Sequence, residues 1–255
     1  MRVAMGVEYD GSSFHGWQLQ DNVDSVQARL EAAVASVANH PLRVHCAGRT
    51  DAGVHATGQV IHFDTESRRS ARNWILGTNV NLPPEVNINW AVEVPAGFHA
   101  RFSARSRRYR YLILNRATRS SLWRDRAVWI HRSLDEKRMQ AAGNHLLGRH
   151  DFSSYRALGC QAKSPVRTLQ RLEVRREVDR ITIDVEADGF LHHMVRNIAG
   201  VLIAIGEGER AVDWAREVLD HRDRTLGGVT APPQGLYLVG VGYPSEFGLP
   251  DYPSL

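Results

Sequence analysis

Two periods of apolar residues alternate along the chain, and the points where one gives way to the other mark its elements. "RVAMGVEYDG" starts as a strand and ends in a turn at Asp10-Gly11. In "SVQARLEAAVASVAN", Val26, Leu30, Val34 and Val37 recur at helical spacing, and Ser25 stands at the N-cap. "LRVHCAG" reads as a second strand and "GQVIHFDT" as a third, with Val60, His62 and Asp64 on one face and Ile61 and Phe63 on the other. A helix over "SARNWILGTNVN", ending near Asn79, and a strand over "VNINWAVEV" complete the order β-α-β-β-α-β, the split βαβ or ferredoxin-like pattern.

The second half repeats that order with longer excursions. "RRYRYLILN" is a strand, "LDEKRMQAAGNHLLG" a helix, and "VRTLQRLEVRREV" with "RITIDVEA" a hairpin around Asp179. "FLHHMVRNIAGVLIAIG" and "AVDWAREVLDHRD" read as helices and "GLYLVGVGY" as a closing strand. The expected fold is therefore α/β (α+β), two ferredoxin-like halves sharing a central, mostly antiparallel sheet. The best boundary lies between Val94 and Ser106, which divides the chain into 1–104, bearing the Asp51 loop, and 105–255, completing a cleft.

Composition narrows the class. At about 100–200 residues per domain, 255 residues suit one large domain or two closely packed halves. No apolar run approaches the roughly 20 residues of a membrane span, and "MRVAMGVEYDG" lacks the features of a secretory signal, so the expected location is the cytoplasm and no membrane is expected as a partner. Cys46 and Cys160 are too few for a disulfide framework or a thiolate zinc site and are expected as reduced, partly buried thiols. The formal charge is only +4, yet just two of the 32 cations, Lys137 and Lys163, are Lys. Arg forks onto phosphate and stacks on bases as Lys cannot, which points to an anionic partner, although an Arg-rich coding bias explains the same count.

Candidate chemistry concentrates in the loop "GRTDAGVHA". Gly48 and Gly53 allow a tight turn from which Asp51 projects, and Arg49 can reach that carboxylate or a nearby phosphate; a plain Asx-turn is the competing account. Arg101, Arg105, Arg107, Arg108 and Arg110 crowd one stretch, and strand alternation sets Arg167, Arg171 and Arg175 as a stripe, either an RNA surface or partners for Glu173 and Glu177. Twelve His invite a metal, but the adjacent His192 and His193 would point to different sides of a helix. No "HExxH" occurs, and no carboxylate has ligand spacing around His55 or His62, so no metal is expected. No phosphate-cradling "GxxxxGK[ST]" loop is present either.

At the same residues the chain closely resembles the tRNA pseudouridine synthase family known as TruA. "GRTDAGVHA" is similar to that family's catalytic loop, and "YDGSSFHGWQ", "FHARFSARSRRYRY", "DFSSYRA", "HHMVRN" and "GLYLV" match in order over almost the whole chain. The resemblance implies the pseudouridine synthase fold and a cofactor-independent isomerase of uridines 38, 39 and 40 in the tRNA anticodon stem-loop, working as a homodimer. It implies Asp51 as the catalytic carboxylate, Arg196 as its cationic partner, and Arg49 as an aid to base flipping or a contact to the phosphate backbone. Tyr109 is implied to stack on the uracil and Leu236 to line the pocket, with Arg108 and Arg110 among the cations offered to RNA. Whether Asp51 attacks C1′, adds to C6 or takes the C2′ proton stays open. Two rival readings also remain: a non-catalytic RNA binder, and a glycosylase that releases free uracil.

Overall fold

The computed structural model describes residues 1–250. The first half runs β1 (Arg2–Tyr9), α1 (Val26–Ala38), β2 (His45–Cys46), β3 (His55–Asp64), α2 (Ala71–Asn81) and β4 (Val86–Val94). The second runs β5 (Ser106–Asn115), β6 (Val128–Ile130), α3 (Glu136–Asn144), β7 (Gly148–Asp151), β8 (Val166–Glu177), β9 (Arg180–Ala187), α4 (Met194–Gly206) and α5 (Trp214–His221), and β10 (Leu236–Gly242) follows. Two compact units result: Met1–Arg105 together with the segment from Tyr237, and Ser106–Leu236. The closing strand, expected with the second half, thus belongs to the first unit from Tyr237 on.

In the first unit the strand order is β4-β1-β3-β10, with the short β2 also on β3. The β1–β3, β1–β4 and β2–β3 pairs are antiparallel, and only β10 runs parallel to β3. α1 forms where the spacing predicts, with the Ser25 side chain accepting from the Ala28 N–H and Val26, Leu30, Ala33, Val34 and Ala38 buried. Trp74 of α2 meets Phe63 of β3 edge to face, at 5.3 Å between ring centroids. Across the sheet Ala4, Val60, Trp90 and Phe98 form a second cluster, covered by Tyr243 and Phe247. Both faces are therefore buried, which is why Val60 and His62 are as inaccessible as Ile61 and Phe63 and only Asp64 emerges. The strand expected over "LRVHCAG" shrinks to His45–Cys46.

In the second unit β5-β9-β8-β7 is wholly antiparallel, with β6 added parallel to β5. The expected Arg stripe does not form. Between Leu169 and Arg171 the β8–β9 register slips by one residue: Leu169 pairs with Ala187 and Arg171 with Glu186. That bulge at Gln170 puts Leu169 and Leu172 on the same face, so Arg167 shares the core-facing side and Arg171 and Arg175 the opposite one. There both Arg171 and Arg175 bond Glu173, the salt-bridge account weighed for them.

The β8–β9 hairpin turns through Val178 and Asp179, and Val178 adopts φ 57° while 93% exposed. A β-branched residue in the left-handed region is strained, and two-residue hairpin turns favour Asn or Gly there. Val178→Asn removes no packing and should stabilise the protein by about 1 kcal/mol. Calorimetry should show a melting temperature about 2–4 °C higher; a lower one would contradict this account of the turn.

Candidate active site

The Asp51 loop is held at its base, middle and exit, all within the first unit. After the Cys46–Ile61 pair, Ala47 N–H donates to Val60 O (2.8 Å) and the two chains part. There the side chain of Gln59 takes over: Gly48 N–H donates to Oε1 (3.3 Å), and Nε2 donates to Gly48 O (2.6 Å). Thr50, buried, exchanges a hydrogen bond with Tyr9 OH (2.8 Å), and its carbonyl accepts from Trp17 N–H (3.0 Å). Gly16 allows that approach, since a Cβ there would lie 2.8 Å from Thr50 O and its φ is +90°. The turn closes as Val54 N–H donates to the main-chain carbonyl of Asp51 (3.1 Å), with Gly53 at φ 74°. Asp51 is half-buried. Arg49 is exposed.

Just beyond the loop, His55 has a carboxylate beside it that spacing along the sequence does not reveal. Gly11 N–H donates to Nδ1 (3.0 Å), and Asp10 Oδ1 lies 3.2 Å from the same nitrogen. An accepting Nδ1 cannot also donate, so the Asp10 contact becomes an ion pair only on the imidazolium. His55 also stacks on Tyr237 of β10, at 4.7 Å.

The remaining candidates lie in the second unit. Tyr109 and Tyr111 share the buried face of β5, and Tyr109 meets Phe190 edge to face at 5.1 Å. On the opposite face Arg108 is exposed, whereas Arg110 is clamped by both oxygens of Asp184 (2.7 and 3.0 Å). Arg196, in the first turn of α4, is half-buried, and its Nε donates to Ala231 O (2.8 Å) while Ala231 N–H donates to Arg196 O (3.1 Å). The next residue, Pro232, accepts from the Tyr111 hydroxyl (2.7 Å), a phenol whose pKa burial pushes up against the opposing charge of Arg196. Asn197, Arg224 and Thr230 brace the same segment through mutual bonds of 2.7–3.0 Å. The guanidinium of Arg196 is thus oriented by main chain. Leu236, buried, opens β10 at the end of this segment.

His192 and His193 do not point to different sides of a helix. α4 starts only at Met194, His193 precedes it at φ 61°, and the two rings lie 4.0 Å apart. Arg49 and Asp51 are therefore brought together in one unit, and Arg196 with Tyr111 and the 231–236 segment in the other. Tyr9, Thr50, Gln59 and Tyr111 were not singled out from the sequence. Tyr9 lies in the matching "YDGSSFHGWQ" stretch and Tyr111 beside Tyr109, but Thr50 and Gln59 carry no signal beyond their nearness to Asp51.

A sequence profile of the family described as tRNA pseudouridine synthase matches residues 5–103 and 142–244, which include Arg49, Asp51, Arg196 and Leu236 but not residues 108–110. Relatives named tRNA pseudouridine synthase A extend over those too. One from Nitrosococcus oceani is 58% identical over 250 residues, 98% of this chain and 96% of its own length. One from Pseudoalteromonas atlantica is 55% identical (98% and 95%), and one from Coxiella burnetii 54% identical over 252 residues (99% and 97%). Among solved structures, a chain of a Cbf5–Nop10–Gar1 complex overlaps 78% of this chain and 54% of its own at a TM-score of 0.32 and 11% identity, too remote a likeness to carry an argument.

Proposed function

Because the chain belongs to the tRNA pseudouridine synthase family, an isomerase family, we propose that it converts uridine to pseudouridine at positions 38, 39 and 40 of the tRNA anticodon stem-loop. The observation that carries the reading is the Asp51 loop, with a half-buried carboxylate on a turn anchored at Gly48, Thr50 and Val54. The chemistry balances without a cofactor: N1–C1′ breaks, C5–C1′ forms, the C5 proton leaves to water and N1 gains one, with no net oxidation. No cofactor or metal is assigned.

In this reading Asp51 faces the sugar and base of an extruded uridine and stabilises or traps charge at C1′, takes the C2′ proton, or adds at C6. Arg196 is its cationic partner, as the family resemblance implies. Tyr109 supplies the stacking face that offsets part of the cost of flipping, roughly a few kcal/mol, and Leu236 excludes water beside it. Arg49 and Arg108 meet phosphate from exposed positions, while Arg110 would share its guanidinium with Asp184. The substrate tRNA engages a homodimer in the cytoplasm.

The decisive experiment supplies tRNA tritiated at uracil C5. Label should pass to water at the anticodon-arm uridines with no free uracil formed. Free uracil would mean a glycosylase, and a folded protein that binds tRNA without releasing label would mean a binder.

A further inference from the structure

We infer that Gln59 is a positioning residue for the Asp51 carboxylate, acting through Gly48, and that Tyr9 and Thr50 form the second point of the same clamp. The inference deepens the proposed isomerase and rests on it.

Gln59 is fully buried in β3, opposite Val7 of β1. A buried primary amide is retained only where its donor and acceptor are both used. Here the amide oxygen and nitrogen meet the N–H and the carbonyl of one residue, Gly48, where the chain leaves the sheet. The side chain thus carries the β2–β3 ladder beyond its last main-chain rung, from Ala47–Val60 to Gly48, and sets where the loop begins. Two residues later Tyr9 and Trp17 hold the hydroxyl and the carbonyl of Thr50, and the following residue is Asp51. The carboxylate consequently projects from a backbone fixed on both sides of Arg49. A displacement of about 1 Å at a reacting group costs on the order of 100-fold in rate, so the clamp contributes to turnover without touching substrate.

Gln59→Glu tests this with almost no change of shape. An ionised glutamate still accepts from Gly48 N–H but opposes Gly48 O with a second lone pair, and it regains the donor only when protonated. In single-turnover tritium release the variant should lose about 10- to 100-fold in rate at neutral pH, with the KM for tRNA within about twofold. The ratio of variant to wild-type rate should climb as pH falls toward the carboxyl's pKa, itself raised by burial. A merely structural residue would lower the melting temperature without that pH-dependent rescue. Tyr9→Phe, which deletes one hydroxyl, should lower the rate about 10-fold at unchanged KM and provides the test if the glutamate variant does not fold. A folded variant of either kind with wild-type rate, or a Gln59→Glu rate ratio that is flat with pH, would overturn the inference. Loss of label release in the wild type itself would overturn the isomerase reading instead.

Discussion

Asp51→Asn should yield a folded protein that binds tRNA normally and releases tritium at least about a thousandfold more slowly than wild type. Folding should survive because the loop is anchored by groups other than the substituted one. Gly48 is bracketed by Gln59, Thr50 is held by Tyr9 and Trp17, and the turn is closed by the main-chain carbonyl of residue 51. Asparagine keeps the shape and removes only the charge. Each of the three routes open to this carboxylate, stabilising or trapping C1′, attacking C6 or removing the C2′ proton, needs the anion, and a neutral amide performs none of them. Binding should persist because phosphate contacts by Arg set affinity and register independently of the reacting group. Filter binding, single-turnover label release and a melting curve on the same preparation separate the three effects. Turnover within tenfold of wild type would remove Asp51 from the chemistry, and a collapse of affinity or stability would make it a structural turn residue.

The sequence carries the first unit almost whole, and the reason is local. Val26, Leu30 and Val34 recur at one helical face, Ser25 caps it, and long apolar strands flank it, so period and punctuation agree. The hairpin around Asp179 was legible for the same reason. What escaped depends on partners far along the chain. β6 and β7, of three and four residues, are too short to show a period and exist because β5 and β8 offer an edge. The bulge at Gln170 reverses the facing of Arg167 relative to Arg171, and nothing in "RTLQRL" announces it. α4 starts four residues later than its apolar run because His193 turns left-handed. In the candidate site, Asp51 and Arg196 stood out through their motifs. The groups that hold them did not: Gln59 acts across 11 residues, Tyr9 across 41, and Ala231 grips a side chain 35 residues away. Such partnerships are products of the fold and leave no periodic trace.

Acid should destabilise the first unit through a buried imidazole, and the sign follows from its surroundings. His62 of β3 is buried, its Nδ1 accepts from Ala100 N–H (3.1 Å), and its ring lies 5.0 Å from His45 and 4.5 Å from His99. Burial, then the charges of His99, Arg2 and His45, push its pKa down to about 3, with Asp64 pulling the other way. His99 is pushed down as well, first by its own burial. Between about pH 3 and the ordinary value of 6.5 the unfolded chain therefore binds a proton that folded His62 refuses. Its contribution is complete above about pH 6.5 and drains away as pH falls toward 3, roughly 2 kcal/mol of it between pH 7.5 and pH 5. Protonation would also place a proton on the nitrogen that accepts from Ala100, turning a hydrogen bond into a clash of donors. His62→Asn keeps an acceptor for Ala100 but cannot titrate. Urea unfolding at both pH values should show the wild type losing about 2 kcal/mol more than the variant over that interval, whatever packing the variant gives up at pH 7.5. Equal losses in the two proteins would mean that His62 is protonated in the folded state at mildly acidic pH. The acid sensitivity over that interval would then belong to His99, whose pKa is lowered as well; Asp64, which Arg2 holds below its usual range, contributes only at more acid pH.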